Sequence, residues 1–156
     1  MLARDVMKTN ILSVSPDQDV CEALDIMRKR QFRMLPIVDG DGRLLGALKT
    51  NKILRHLLPD YLLSGKMGDV AFVPDLGVLA AHYPDVVCKS VKKVMDKNPL
   101  TVHPDESLLA VASTLVSDKR QNVYALVIDD ERHLLGVISS GDIIDHFRSL
   151  HLENKK

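Results

Sequence analysis

The sequence predicts an α/β protein made of two copies of one small unit packed with pseudo-twofold symmetry, and three observations carry that reading. A block near the N-terminus recurs about 88 residues later. Each copy combines short apolar runs of strand length with an amphipathic helical stripe. Each copy is also about 55 residues, too short to bury enough surface alone, so the two are expected to pack together. The composition suits this: of 156 residues, 46% are hydrophobic and 27% charged, with 21 basic side chains balanced by 21 acidic ones. Zero net charge and the absence of Trp argue against a nucleic-acid partner, which needs a positive field and stacking platforms.

The first element of each copy is a short strand. Ile11-Leu12-Ser13-Val14-Ser15-Pro16-Asp17 recurs as Pro99-Leu100-Thr101-Val102-His103-Pro104-Asp105, and Val6-Met7 recurs as Val94-Met95, a displacement of 88 residues. A helix follows, with Val20, Ala23, Leu24 and Met27 matched by Leu108, Val111, Ala112 and Leu115, the i, i+3, i+4, i+7 spacing of one buried face. Pro16 and Pro104 suit the first helical position, and Asp17 and Asp105 favour the positive end of the helix dipole. Next comes a hairpin. Pro36-Ile37-Val38-Asp39 with Arg43-Leu44-Leu45-Gly46 matches Leu126-Val127-Ile128-Asp129 with His133-Leu134-Leu135-Gly136, now displaced by 90 residues, so two residues were added in the intervening turn. Asp39-Gly40-Asp41-Gly42 is the turn joining the two strands; its twelfth position is Thr50, not the Glu of a calcium loop. A last helix follows each hairpin.

These boundaries divide the chain into repeat 1 (1–58), a linker (59–89), repeat 2 (90–152) and a short tail (153–156). The linker is too long for a plain loop. Leu76, Leu79, Ala80 and Tyr83 fit one helix face, and Tyr61, Phe72 and Tyr83 are three of the chain's six aromatic residues. A structured linker packed on the repeats and a docking surface for a partner are both open readings.

Several chemistries are set aside. Cys21 and Cys88 lack a CxxC or an adjacent histidine and read as buried reduced thiols. Asp142, His146 and His151 do not repeat a zinc signature, and no Ser-His-Asp or Cys-His set is recognisable, so neither a metal site nor enzymatic activity is expected. The longest run without a formal charge, Ser107 to Ser117, is too short to span a bilayer. Charges at Arg4, Asp5 and Lys8 interrupt any secretory signal, and the expected location is the cytoplasm.

Gly136-Val137-Ile138-Ser139-Ser140-Gly141-Asp142-Ile143 carries the main candidate site. Val137 and Ile138 end a strand, and Ile143, Ile144, Phe147 and Leu150 mark a helix, so Ser139 and Asp142 sit at a strand-to-helix turn. An ionised Asp142 offers two acceptor oxygens suited to the vicinal diol of a ribose, and Ser139 adds a hydroxyl. The same Ser-x-x-Asp pattern is also a capping box that merely satisfies the first backbone donors. The residues alone leave both open.

Both copies resemble CBS domains, the cystathionine-β-synthase-type modules that occur in tandem pairs and often bind adenosine-containing ligands. The resemblance rests on the Val-Met, apolar strand and Pro-Asp succession, on Leu35-Pro36-Ile37-Val38-Asp39, and on the glycine, two apolar residues, Ser and Asp of the 136–142 stretch. It implies two β-α-β-β-α repeats and a composite site in the cleft between them. Asp142 and Ser139 would take the ribose, and Arg33, three residues before Pro36, the phosphate; Phe32, Met34, Pro36 and Val137 would line the apolar cleft. The implied ligand is AMP, ADP or ATP, with S-adenosylmethionine also open, and no cofactor is required. The implied partners are a second copy in a homodimer and a separately encoded transporter, channel or enzyme under its regulation. Repeat 1 departs from the pattern. Lys49 and Lys52 stand where Ser139 and Asp142 stand in repeat 2; a lysine has donors only and opposes the helix dipole unless an anion is near. That half-site is therefore lost or adapted to phosphate, and one nucleotide per chain is expected.

Overall fold

The computed structural model describes residues 1–64, 76–119 and 123–153. In chain order the elements are α1 (Ala3–Val6), α2 (Val20–Arg30), β1 (Met34–Val38), β2 (Leu44–Lys49), α3 (Thr50–Leu57), α4 (Asp60–Leu63), α5 (Leu76–Val87), β3 (Thr101–Val102), α6 (Leu108–Ser117), β4 (Tyr124–Ile128), β5 (Leu134–Ser139) and α7 (Ser140–Glu153). A 3-10 turn, Val91–Lys93, precedes β3. The α/β class and the repeated helix–hairpin–helix order are as the sequence predicts. Contacts gather the chain into two bodies. One comprises residues 1–12, 38–44 and 98–156, and the other 13–37 and 45–97.

In the first body β3 runs parallel to β4, and β4 antiparallel to β5 with Leu126 opposite Val137. Leu108, Val111 and Leu115 of α6 pack against Ala125, Val127, Ile138 and Ile143. In the second body β1 pairs with β2 and the expected first strand shrinks to one bridge, Val14 to Ile37. Val20, Ala23 and Met27 of α2 pack with Leu35, Ile37, Leu48 and Ile53. The apolar stripes thus face their cores in both copies.

The opening residues of each repeat pack in the body of the other. In the first body Ala3 N–H donates to Glu106 O at 2.8 Å and Arg4 N–H to Pro104 O at 3.0 Å. In the second, Val91 N–H donates to Gln18 O at 2.8 Å and Lys92 N–H to Pro16 O at 3.2 Å. These are equivalent positions at the 88-residue displacement. Two side-chain pairs repeat the exchange: Arg4 with Asp105, and Lys92 with Asp17 at 2.8 Å.

Two expectations are corrected. Pro16 and Pro104 do not open helices; α2 and α6 begin four residues later, behind Asp19 and Ser107. Both prolines sit in turns closed by Gln18 N–H to Ser15 O and Glu106 N–H to His103 O, a setting proline suits as well as a first helical turn. Cys21 and Cys88 are free but exposed, because the stripe at 20, 23 and 27 turns residue 21 outward. In the linker α5 is a helix, yet Leu76 and Tyr83 are exposed. Packing falls instead on Val86 and Val87, at its C-terminal end beyond Pro84. Phe72 and residues 120–122 of the turn that received the insertion lie outside the described residues.

Candidate functional site

β5 delivers the chain to Ser139, the residue immediately before α7. The strand can lie close under the N-terminal segment because Gly136 has no side chain: a Cβ there would meet Met7 Sδ at 2.6 Å and Cγ at 2.8 Å. Lys8 follows Met7 and is fixed to the neighbouring strand residue by a pair of backbone bonds, Lys8 N–H to Val137 O at 2.9 Å and Val137 N–H to Lys8 O at 3.0 Å.

This brings three side chains together. Asp142 Oδ2 accepts from Ser139 N–H at 2.8 Å and from Ser139 Oγ at 2.7 Å, while Asp142 N–H donates to Ser139 Oγ at 3.1 Å. The capping box therefore forms. Asp142 Oδ1 is paired with Lys8 Nζ, and the carboxylate is 9% exposed where the lysine side chain is 69% exposed. Burial pushes the Asp142 carboxyl upward, but the Lys8 ammonium and the Ser139 donors outweigh it and hold it below its ordinary value. Lys8 is raised in turn, chiefly by its hydrogen bond to Asp142. The result is an ionised acceptor, part-buried at the positive end of a 14-residue helix and able to accept further donors such as hydroxyls.

In the second body the corresponding place carries the opposite charges, with Lys49, the counterpart of Ser139, making the contact. Ala47 and Asp96 form the equivalent pair of backbone bonds, at 3.0 and 2.8 Å. Lys49 Nζ lies 2.9 Å from Asp96 Oδ2, with both side chains less than 15% exposed. Asp96 is thus the anion that lets a lysine stand at the start of α3, and Lys49 is committed to it. Lys52 is half-buried.

Of the remaining predicted residues, Val137 lies on β5 and the others on or just before β1. Phe32 and Arg33 are exposed, Met34 is half-buried and Pro36 is buried. Arg33 O accepts from Thr50 N–H at 3.3 Å; its guanidinium has no partner among the described residues. Val137 is half-buried. Lys8 was missed by sequence reasoning, although a signal existed: the sign change from Lys8 to Asp96 mirrors the one from Asp142 to Lys52. Among the described residues, no group of three or more His, Cys, Asp or Glu is disposed to hold a metal ion, and no helix is long and apolar enough to cross a membrane.

An uncharacterized protein of Methanocaldococcus jannaschii is 26% identical over 93% of this chain and 90% of its own length. The L-aspartate semialdehyde sulfurtransferase and inosine-5'-monophosphate dehydrogenase of that organism are 24% and 25% identical over 91% of this chain, which spans only 22% and 23% of their lengths. Among solved structures, CBSX2 in complex with AMP superposes with a TM-score of 0.72 at 20% identity, over 96% of this chain and 98% of that one. The CBS domain pair of protein MJ0100, in complex with 5′-methylthioadenosine and S-adenosyl-L-methionine, gives 0.66 at 24% identity, over 96% and 97%. These likenesses show the fold. The CBS domain model matches twice, at residues 3–59 and 91–149, and with both repeats matched the chain belongs to the CBS domain family.

Proposed function

We propose that this chain is a non-enzymatic regulatory module that binds one adenosine-containing ligand, AMP, ADP or ATP, with S-adenosylmethionine as the alternative, and thereby adjusts a separate effector in the cytoplasm. The observation that carries the reading is the Asp142 carboxylate, ionised and 9% exposed at a strand-to-helix turn. Membership of a family whose solved pairs include complexes with AMP and with S-adenosylmethionine supports the ligand class. Asp142 and Ser139 take the ribose hydroxyls. Arg33 takes a phosphate through paired N–H groups, and Val137, Phe32, Met34 and Pro36 contact the base. The ligand acts by favouring the arrangement of repeats, or of a homodimer, to which it binds more tightly. Asp142→Ala should weaken AMP binding by about tenfold or more, the scale of a lost charge-assisted hydrogen bond, with circular dichroism unchanged. Unaltered affinity in a folded variant would contradict the reading.

A second reading has its own observation. Tyr61 and Tyr83 are about half exposed, and Tyr83 lines a cavity of about 360 Å³ with Leu24, Ile53, Leu54 and Leu57. A constitutive interaction module docking a protein on the linker would use that surface. It predicts no stabilisation by nucleotides, and loss of partner binding when the linker is deleted.

A further inference from the structure

Resting on the proposed adenosine ligand at Asp142, we infer that Lys8 determines specificity there, admitting ligands whose ribose carries an anionic 5′ tail over those with a neutral or cationic one. Asp142 Oδ2 already takes both Ser139 donors. A ribose diol must therefore be gripped largely through Oδ1, where the Lys8 ammonium rests. The two members of that pair differ in freedom. Asp142 is 9% exposed and tied into the start of α7, whereas the Lys8 side chain is 69% exposed on a main chain pinned to Val137 from both sides. The ammonium can thus swing on its four-carbon stem without any movement of the backbone.

A hydroxyl arriving at Oδ1 displaces or shares the ammonium, and a displaced ammonium loses its charge partner. A phosphate on the 5′ carbon of the same ribose supplies a new one within reach of the stem. A nucleoside with a neutral 5′ substituent leaves the ammonium uncompensated, and a sulfonium tail adds a like charge. Lys8 thus passes from Asp142 to the ligand when the tail is phosphate, and obstructs the site when it is not. The charge-inverted pair in the second body has no such device, since its lysine is the enclosed partner at 14% exposure.

Calorimetric titration of the full chain with AMP and with adenosine tests this in the unaltered protein and in Lys8→Met, Lys8→Arg and Asp142→Ala. Lys8→Met should lower AMP affinity by about tenfold while leaving adenosine affinity unchanged or improved, and Lys8→Arg should keep the preference for AMP. An AMP-to-adenosine ratio that is the same in Lys8→Met as in the unaltered protein overturns the role of Lys8, whichever way the two affinities move. If the unaltered protein binds neither ligand, or Asp142→Ala binds both as it does, the reading of the site itself fails and this inference with it.

Discussion

Asp142 is part-buried with a cation on one oxygen and two donors on the other, and this gives its titration a definite sign. Its folded pKa lies below the ordinary 3.8, so its contribution to stability is present above that value and is lost as pH falls through the lower, folded one. Lys8, raised above 10.5, contributes fully below that value and loses its contribution as pH rises through its own folded value. Neither group changes stability between about pH 5 and 9. Denaturant unfolding below pH 4 should therefore show a shallower loss of stability in Asp142→Asn than in the unaltered chain; superimposable acid limbs would refute the pairing. The hairpin turns offer a second residue-scale test. Gly42 holds φ at 83° and Arg132, its counterpart in the other turn, holds 68°, a left-handed conformation that penalises a Cβ. Space at Gly42 is open, so Gly42→Ala should cost about 1 kcal/mol through the backbone alone, read as a lower urea midpoint with an unchanged slope.

At the scale of elements, the recurring Val-Met and Gly motifs have one cause. Met7 lies over Gly136 and Met95 over Gly46, each methionine packing on a strand of the opposite repeat. The two glycines are not equally replaceable. A Cβ at Gly46 would stand 2.5 Å from the backbone oxygen of Asp96, while at Gly136 the nearest atoms belong to the Met7 side chain. Gly46→Ala should cost about 1 to 3 kcal/mol, the usual penalty of overpacking, and Gly136→Ala less; equal costs by thermal unfolding would contradict the distinction. The helices and the first hairpin were legible in the sequence because a 3.6-residue stripe and an Asp-Gly turn are local signals, and the second hairpin through its match to the first. The role of Pro16 and Pro104 was not, since a proline fits both the second position of a turn and the first turn of a helix. The sequence also left open which residues of α5 would pack. Periodicity favours Leu76, Leu79 and Tyr83, yet Val86 and Val87 reach the core.

For the molecule as a whole, repetition announces two copies but not which copy each segment joins. Residues 1–12 fall in the body of repeat 2, and residues 90–97 in that of repeat 1, an exchange invisible to any displacement of 88 or 90. It is this exchange that brings Lys8 to Asp142, so the ribose candidate was legible in Ser139 and Asp142 while its charge partner was not. The trace of it lay in the signs: cation at 8 and anion at 142, anion at 96 and cation at 52. The most direct measurement is thermal unfolding of the whole chain alone and with AMP, ADP, ATP, S-adenosylmethionine and guanine nucleotides. A ligand at 100 times its Kd adds about 2.7 kcal/mol, so a rise in Tm confined to adenosine-containing ligands, and greatest for the phosphorylated ones, is the predicted result. An unchanged Tm with every ligand would contradict a nucleotide-binding module.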